Sequence, residues 1–251
     1  MLQSGLLRSL IRSLVRSAPL PQRLVAEGIG TGLLVATIVG SGIMGERLAA
    51  GNVALALLAN SLATGSGLVA LILAFSSISG AHFNPVVSVA AASQGGMRWT
   101  DVPGYVAAQI AGACLGTTLA HVMFAAPLFM LSGHVRSGVP LLVSECVATF
   151  GLLSVICGSS RTHTSATPFA VAAYITAAYW FTASTSFANP AVTIARALTD
   201  TFAGIRPADV PGFIAAQLLG ALVATLLFRW LTPPPPHVAT DVAPSAAGVR
   251  A

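Results

Sequence analysis

Asn84-Pro85-Val86 and Asn189-Pro190-Ala191 are two copies of one short signal. Asn is a strong helix N-cap, and Pro suits the first helical position because the N–H it lacks would be unpaired there. Each tripeptide therefore predicts a helix start, and each opens an apolar stretch too brief to cross a bilayer. Two such half-helices entering from opposite sides would bring free N–H groups, Asn amides and two positive dipole ends together near a membrane midplane. The chemistry on offer there is hydrogen-bond donation in a narrow polar constriction, not bond making. Each Asn is either a donor facing that constriction or a cap alone. Glu27 and Glu145 are the other polar groups set inside apolar spans, and a carboxylate in hydrocarbon is a functional candidate by default. Each is followed four residues later by Thr, at Thr31 and Thr149, so each pair shares a helical face. The carboxylates are either proton relays or acceptors for backbone N–H groups of irregular loops. His82, two residues before Asn84, either braces its loop or faces the opening.

Enzyme chemistry finds no foothold. The chain holds no HExxH, GxSxG, phosphate-binding P-loop or GxGxxG after a strand. Its five histidines make no metal-ligand spacing with cysteines or carboxylates. Cys114, Cys146 and Cys157 all fall within apolar spans, where Cys behaves as a small hydrophobe. No metal, cofactor or catalytic residue is expected.

The elements that must position these residues are membrane spans. Only 8% of the 251 residues are charged and 55% are hydrophobic, and mean hydropathy is +0.83, against roughly 25% charged residues in a soluble domain. Apolar segments of about 20 residues, enough to cross about 30 Å of hydrocarbon, occur near 24–44, 51–75, 103–125, 139–157, 166–184 and 210–230. Six spans put both termini on one side. All 12 basic residues are Arg. Arg8, Arg12, Arg16, Arg23, Arg98, Arg161, Arg229 and Arg250 flank one side of the spans, which the positive-inside rule makes cytoplasmic, with Trp99 and Trp230 at that interface. The net charge of +5 therefore reflects topology and not nucleic-acid binding, since aromatic residues do not interleave with the arginines. Residues 1–23 form a basic tail, either an amphipathic surface helix or a disordered arm. Residues 24–231 form the membrane domain, and 232–251, opened by four prolines, have the composition of a disordered tail.

The membrane domain repeats itself, over about 24–126 and 138–231. Beyond the paired Glu-x-x-x-Thr signals, Ser79-Gly-Ala-His-Phe-Asn84-Pro85 matches Thr185-Ser-Phe-Ala-Asn189-Pro190, and Asp101-Val-Pro-Gly-Tyr-Val-Ala-Ala-Gln109 matches Asp209-Val-Pro-Gly-Phe-Ile-Ala-Ala-Gln217. Each half holds an odd number of spans, so the second must lie upside down relative to the first. Gly28/Gly32, Gly112/Gly116 and Gly220/Ala224 supply small faces for close helix packing.

With these motifs in order, the chain resembles the major intrinsic protein family, the aquaporins and aquaglyceroporins, over about 24–231. The resemblance implies an all-α fold of six tilted spans plus two re-entrant half-helices, assembled as a homotetramer in the inner membrane with one pore per subunit. It implies that Asn84 and Asn189 donate to permeating water and break its proton wire, and it favours Glu27 and Glu145 as loop scaffolds. The local reading of His82 as a brace rests on buried polar groups being satisfied nearby.

The family commonly places an Arg three residues after the second Asn, and this chain has Val192 there. Family spacing puts the remaining constriction residues at Thr64, Ala177 and Ser186, a small, neutral set free of aromatic groups. Such an opening predicts passage of solutes larger than water. Arg196, four residues past Val192 and about 6 Å further along the helix, either replaces the missing charge or faces solvent at a helix C-terminus. Val86, in place of the more usual Ala, reads as a packing variation. The expected activity is passive conduction of water and small uncharged solutes, with polyols, urea-like amides or neutral metalloid hydroxides such as arsenous acid as cargo and the lipid bilayer as surroundings. The alternatives are a strict water channel, a proton-coupled transporter using Glu27 or Glu145, and a structural junction protein with a closed pore. The loop at Arg161-Thr162-His163 is either a pH-responsive gate through His163 or simply solvated.

Overall fold

The computed structural model describes residues 18–232, and every regular element among them is helical. Six longer helices are α1 (Leu20–Leu48), α2 (Val53–Ser79), α4 (Val102–Met123), α5 (Val139–Thr162), α6 (Thr167–Phe181) and α8 (Val210–Leu231). Two short ones, α3 (Pro85–Ser93) and α7 (Pro190–Arg196), follow the Asn residues. The basic arm with Arg8, Arg12 and Arg16, and the proline-led tail, lie outside the described residues.

Local chemistry sets the helix starts. Every helix but α2 carries Pro in its first turn, where a missing N–H is harmless. The remaining helix, α2, is capped by Asn52, whose side chain accepts from Leu55 N at 3.1 Å. Five of the helices are long and apolar enough to cross a membrane. The expected span at 166–184 is the shorter α6, of 15 residues, about 22 Å of helix plus about 6 Å from the 3-10 turn at Thr164–Ala166. Its far end stops early because Thr182 is extended (φ −108°, ψ 136°) and begins the loop toward Asn189.

Packing follows the small residues. Gly112 and Gly116 of α4 lie against the backbone of Gly28 and Gly32 of α1, so closely that a Cβ on either would overlap those carbonyls. Gly220 of α8 meets the Cys146 carbonyl of α5 in the same way. Without a hydrophobic drive between helices in lipid, such close approach is what holds a bundle together. The turns before α4 and α8 are tied alike. Asp101 pairs with Arg23 at 2.9 Å and Arg98 at 3.0 Å, and Asp209 pairs with Arg206 at 2.8 Å. Leu115, Leu119 and Val122 of α4 and Leu218, Leu222 and Leu226 of α8 face outward, as a lipid-facing surface requires. The half-helices α3 and α7 sit inside, with Val86, Val87, Ala191 and Val192 in the central core.

Candidate functional site

The loops entering α3 and α7 are irregular in the same places. Gly80, Ala81 and Phe83 have φ of 91°, 50° and 49°, while Thr185, Ser186 and Ala188 have 61°, 52° and 48°. These are the fourth, third and first residues before each Asn. A left-handed conformation costs a non-glycine residue roughly 1 kcal/mol or more, so the surroundings must enforce it. Glu27, wholly buried, does so for the first loop. Its Oε1 accepts from Ser79 Oγ at 2.6 Å and His82 N at 2.9 Å, and its Oε2 from Phe83 N and Gln109 Nε2, both at 2.7 Å. Glu145 serves the second loop, accepting from Phe187 N and Ala188 N at 2.9 Å and from Gln217 Nε2 at 2.7 Å.

The two glutamines also tie the loops to the half-helices. Gln109 Nε2 donates to Ser88 Oγ at 3.0 Å, and Gln217 Nε2 to Thr193 Oγ1 at 2.9 Å. Both belong to the matched repeat, yet their role emerges only when α4 and α8 are folded against α3 and α7. The serine that opens each loop was partly hidden as well. Ala81 N donates to Ser79 Oγ at 3.1 Å and Ser186 N to Ser184 Oγ at 3.2 Å, so the counterpart of Ser79 is Ser184, one residue earlier than the Thr185 alignment. His82 Nδ1 bonds Ser88 Oγ at 3.0 Å, and its ring also borders the cavity described next.

Asn84 and Asn189 lock the two loops to each other. Asn84 Nδ2 donates to Ala188 O at 2.8 Å and Asn189 Nδ2 donates to Phe83 O at 2.8 Å. The amide oxygens are fixed in turn. Asn84 Oδ1 accepts from Val86 N at 3.1 Å, and Asn189 Oδ1 from Ala191 N at 3.0 Å and Val192 N at 3.3 Å. A side-chain amide has two N–H groups, so each Asn retains one beyond the cross-link. Both residues border a cavity of about 720 Å³ whose wall runs from Gln94, Ser160 and Arg161 at one end to Thr64, Tyr179 and Arg196 at the other. Most of that wall is aliphatic, supplied by residues such as Leu34, Leu68, Leu152 and Ile175. Pro85 and Pro190 are buried in the first turns of α3 and α7, and Val86 is packed in the core.

At the Tyr179 end the structure corrects the expected constriction. Thr64, Ser186 and Val192 border the cavity, and Ala177 does not. Ala177 is exposed on the outer surface of α6. The reason is the azimuth of that helix. At 100° per residue, Val171, Ile175 and Tyr179 form the face toward the cavity, and Ala177 lies about 160° away from it. Nor is the set neutral and free of aromatics. Tyr179 is 3% exposed, and its hydroxyl lies 3.1 Å from Thr64 Oγ1. Arg196 is 2% exposed, which removes the solvent-facing alternative. Its guanidinium stacks 3.4 Å above the Phe187 ring and Nε donates to Ala203 O. Arg136, from the segment before α5, reaches the same ring at 5.1 Å and donates through Nε to Gly204 O at 2.7 Å. Neither arginine forms an ion pair among the described residues. Sequence reading had no signal for Arg136, which arrives by folding back of a distant segment, and Phe187 lies within the matched loop but nothing in its spacing marks it as the ring under both arginines.

Six membrane-length or near-membrane-length helices around two opposed half-helices, whose capped ends meet on a cavity spanning the bundle, define a multi-pass membrane channel. The family model described as major intrinsic protein matches residues 14–179 and 160–251. The aquaglyceroporin AqpS of Rhizobium meliloti (strain 1021) is 53% identical over 228 residues, covering 91% of this chain and 97% of that protein. Nodulin-26 of Glycine max is 34% identical over 158 residues, 61% of this chain and 56% of its own length. The X-ray structure of the aquaglyceroporin from Plasmodium falciparum superimposes with a TM-score of 0.70 at 21% identity, covering 86% of this chain and 98% of that one. The chain belongs to the major intrinsic protein family. It is a passive channel and not an enzyme.

Proposed function

We propose that the protein conducts water and small uncharged solutes, polyols of glycerol size or neutral metalloid hydroxides among them, past a central barrier made by Asn84 and Asn189. The observation that carries this reading is the reciprocal cross-link of the two Asn amides, which leaves one N–H on each beside a mostly aliphatic cavity. A water whose oxygen accepts from both donors cannot also accept from its neighbours, so a proton wire is broken there. The aliphatic wall suits the carbon side of a polyol, and the few polar groups suit its hydroxyls. The aquaglyceroporin named among the relatives supports glycerol, and arsenous acid presents a comparable neutral set of three hydroxyls.

Arg196 supplies the positive charge of the filter in place of Val192. Thr64, Ser186, Val192 and Arg196, with Tyr179 in place of Ala177, form that filter at the outer end. In this orientation both termini lie in the cytoplasm, with Arg23, Arg98, Arg161 and Arg229 on that side of a bacterial inner membrane. The subunits assemble as a homotetramer.

Stopped-flow light scattering on proteoliposomes, with water, glycerol and arsenous acid, tests the reading. Wild type should exceed protein-free vesicles for all three, and Val192→Arg, which adds a second guanidinium to the filter, should slow glycerol and arsenous acid more than water. Wild-type vesicles no faster than protein-free ones would refute it.

A further inference from the structure

A second cavity, of about 330 Å³, lies on the outside of the bundle between α3 and α8. Val86, Val89 and Ser93, spaced i, i+3, i+7, wall it from one face of α3, and Leu218, Leu222 and Arg229, spaced i, i+4, i+11, wall it from one face of α8. Trp99 borders it at the same end as Arg229. Val89, Leu218, Leu222 and Trp99 are exposed, so the cleft opens sideways to lipid. From Leu218 to Arg229 its wall is about 16 Å long, at about 1.5 Å per residue. That is close to the depth of one leaflet of a hydrocarbon core about 30 Å thick.

The two ends of the cleft differ in chemistry. Toward the midplane it is aliphatic. At the arginine end, the Arg229 guanidinium, Trp99 Nε1 and the hydroxyl of Thr225, a residue only 8% exposed, border the cleft without a hydrogen bond or ion pair among the described residues. Arg and the Trp N–H can only donate, so an occupant must bring acceptors and negative charge to this end and hydrocarbon to the other. The chain has no carboxylate to spare there. Glu27 holds the first loop, and Asp101, also buried, holds Arg23 and Arg98. A neighbouring copy inserted the same way up would present the same committed set to Arg229.

We propose that this cleft binds an anionic phospholipid: one acyl chain lies along α3 and α8, the phosphate accepts from Arg229 and Trp99 Nε1, and Thr225, one turn nearer the midplane, donates to the ester carbonyl below it. Lipid tails are as apolar as the cleft wall, so the chain fills the space and the headgroup decides which lipid stays. Ala90 borders both this cleft and the channel cavity. The bound chain therefore packs against the back of the half-helix that Asn84 caps. The site goes beyond the channel reading and does not depend on which solute is conducted.

The test uses full-length protein in uncharged detergent with dioleoyl phosphatidylglycerol or dioleoyl phosphatidylcholine added, binding read by native mass spectrometry and stability by thermal unfolding. Wild type should hold phosphatidylglycerol more tightly than phosphatidylcholine, and phosphatidylglycerol should raise the melting temperature more, since a ligand of the folded state stabilises it. Arg229→Gln should weaken phosphatidylglycerol binding about fivefold, the worth of one arginine at an anionic headgroup, and leave phosphatidylcholine as in wild type. Val89→Phe and Leu222→Trp, which fill the cleft from α3 and from α8, should weaken both lipids. Arg47→Gln, which removes an exposed arginine at the opposite end of α1 from Arg23, should bind phosphatidylglycerol as wild type does. Equal affinity of wild type for the two lipids, or an undiminished preference in Arg229→Gln, would overturn the site. So would equal losses in Arg47→Gln and Arg229→Gln, which would make the attraction a general effect of charge. A smaller oligomer in Val89→Phe or Leu222→Trp would overturn it too, by assigning the cleft to a second copy of the chain.

Discussion

Replacing Glu27 is the sharpest test of how this channel is built. The carboxylate accepts from four groups, and three of them, the His82 N–H, the Phe83 N–H and Gln109 Nε2, can only donate. In Glu27→Ala the two backbone N–H groups would lose their acceptor at a site with no solvent exposure, and Gln109 Nε2 would keep only Ser88 Oγ. At about 1–3 kcal/mol for each of the two orphaned N–H groups, with a smaller loss at Gln109, the total centres on roughly 5 kcal/mol. The left-handed backbone at Ala81 and Phe83 would then be held only by the bonds from Ala81 N to Ser79 Oγ and from Asn189 Nδ2 to Phe83 O. For a chain of this size about 1 kcal/mol corresponds to about 2–4 °C, so the apparent melting temperature in detergent should drop by about 10–20 °C. Glu27→Gln keeps one oxygen but turns its amide donors toward two other donors, and about half that drop is expected. Glu145→Gln should cost somewhat less, because Glu145 holds three partners against four. Water permeability should fall along with stability, since Phe83 O anchors Asn189. A Glu27→Gln protein that melts within about 2 °C of wild type with unaltered permeability would refute the scaffold argument. Wild-type flux that follows an imposed pH gradient, and loses that response in Glu27→Gln, would instead make the residue a proton carrier.

Arg196→Ala removes the buried cation at the outer end, and voltage-driven cation or proton leak through proteoliposomes should rise severalfold; leak equal to wild type would remove Arg196 as the filter charge. Gly112→Ala places a Cβ into the Gly28 carbonyl, and forcing α1 from α4 should cost about 1–3 kcal/mol, read as a lower melting temperature and reduced yield of folded protein. Cys157 borders the cavity whereas Cys114 and Cys146 do not, so mercuric ion should block water flux in wild type and in Cys114→Ser/Cys146→Ser, but not in Cys157→Ser.

Much of this was legible in the chain because it is local or repeated. The Asn-Pro starts depend on capping and on the φ of Pro, which act within one turn. The pairing of Glu27 with Glu145, and of Gln109 with Gln217, shows as repetition even before a partner is known. What Gln109 and Gln217 do was not legible, since each must bridge a carboxylate on one helix and a hydroxyl on another.

The sequence by itself determined the number of spans, the two half-helix starts and the inversion of one half against the other, because hydrophobic length, capping chemistry and an odd span count leave no other arrangement. Only the tertiary structure decided which residues meet at the outer end. On α6 nearly every side chain is apolar, so no periodicity marks the face toward the cavity, and counting from Asn189 chose Ala177. Three contacts with α2, at Gly65, Ser61 and Thr64, turn that helix so that Tyr179 faces inward. Arg196 entered the wall by a similar route, held by the ring of Phe187 and the carbonyl of Ala203, and neither of those partners is marked as such by its spacing along the chain.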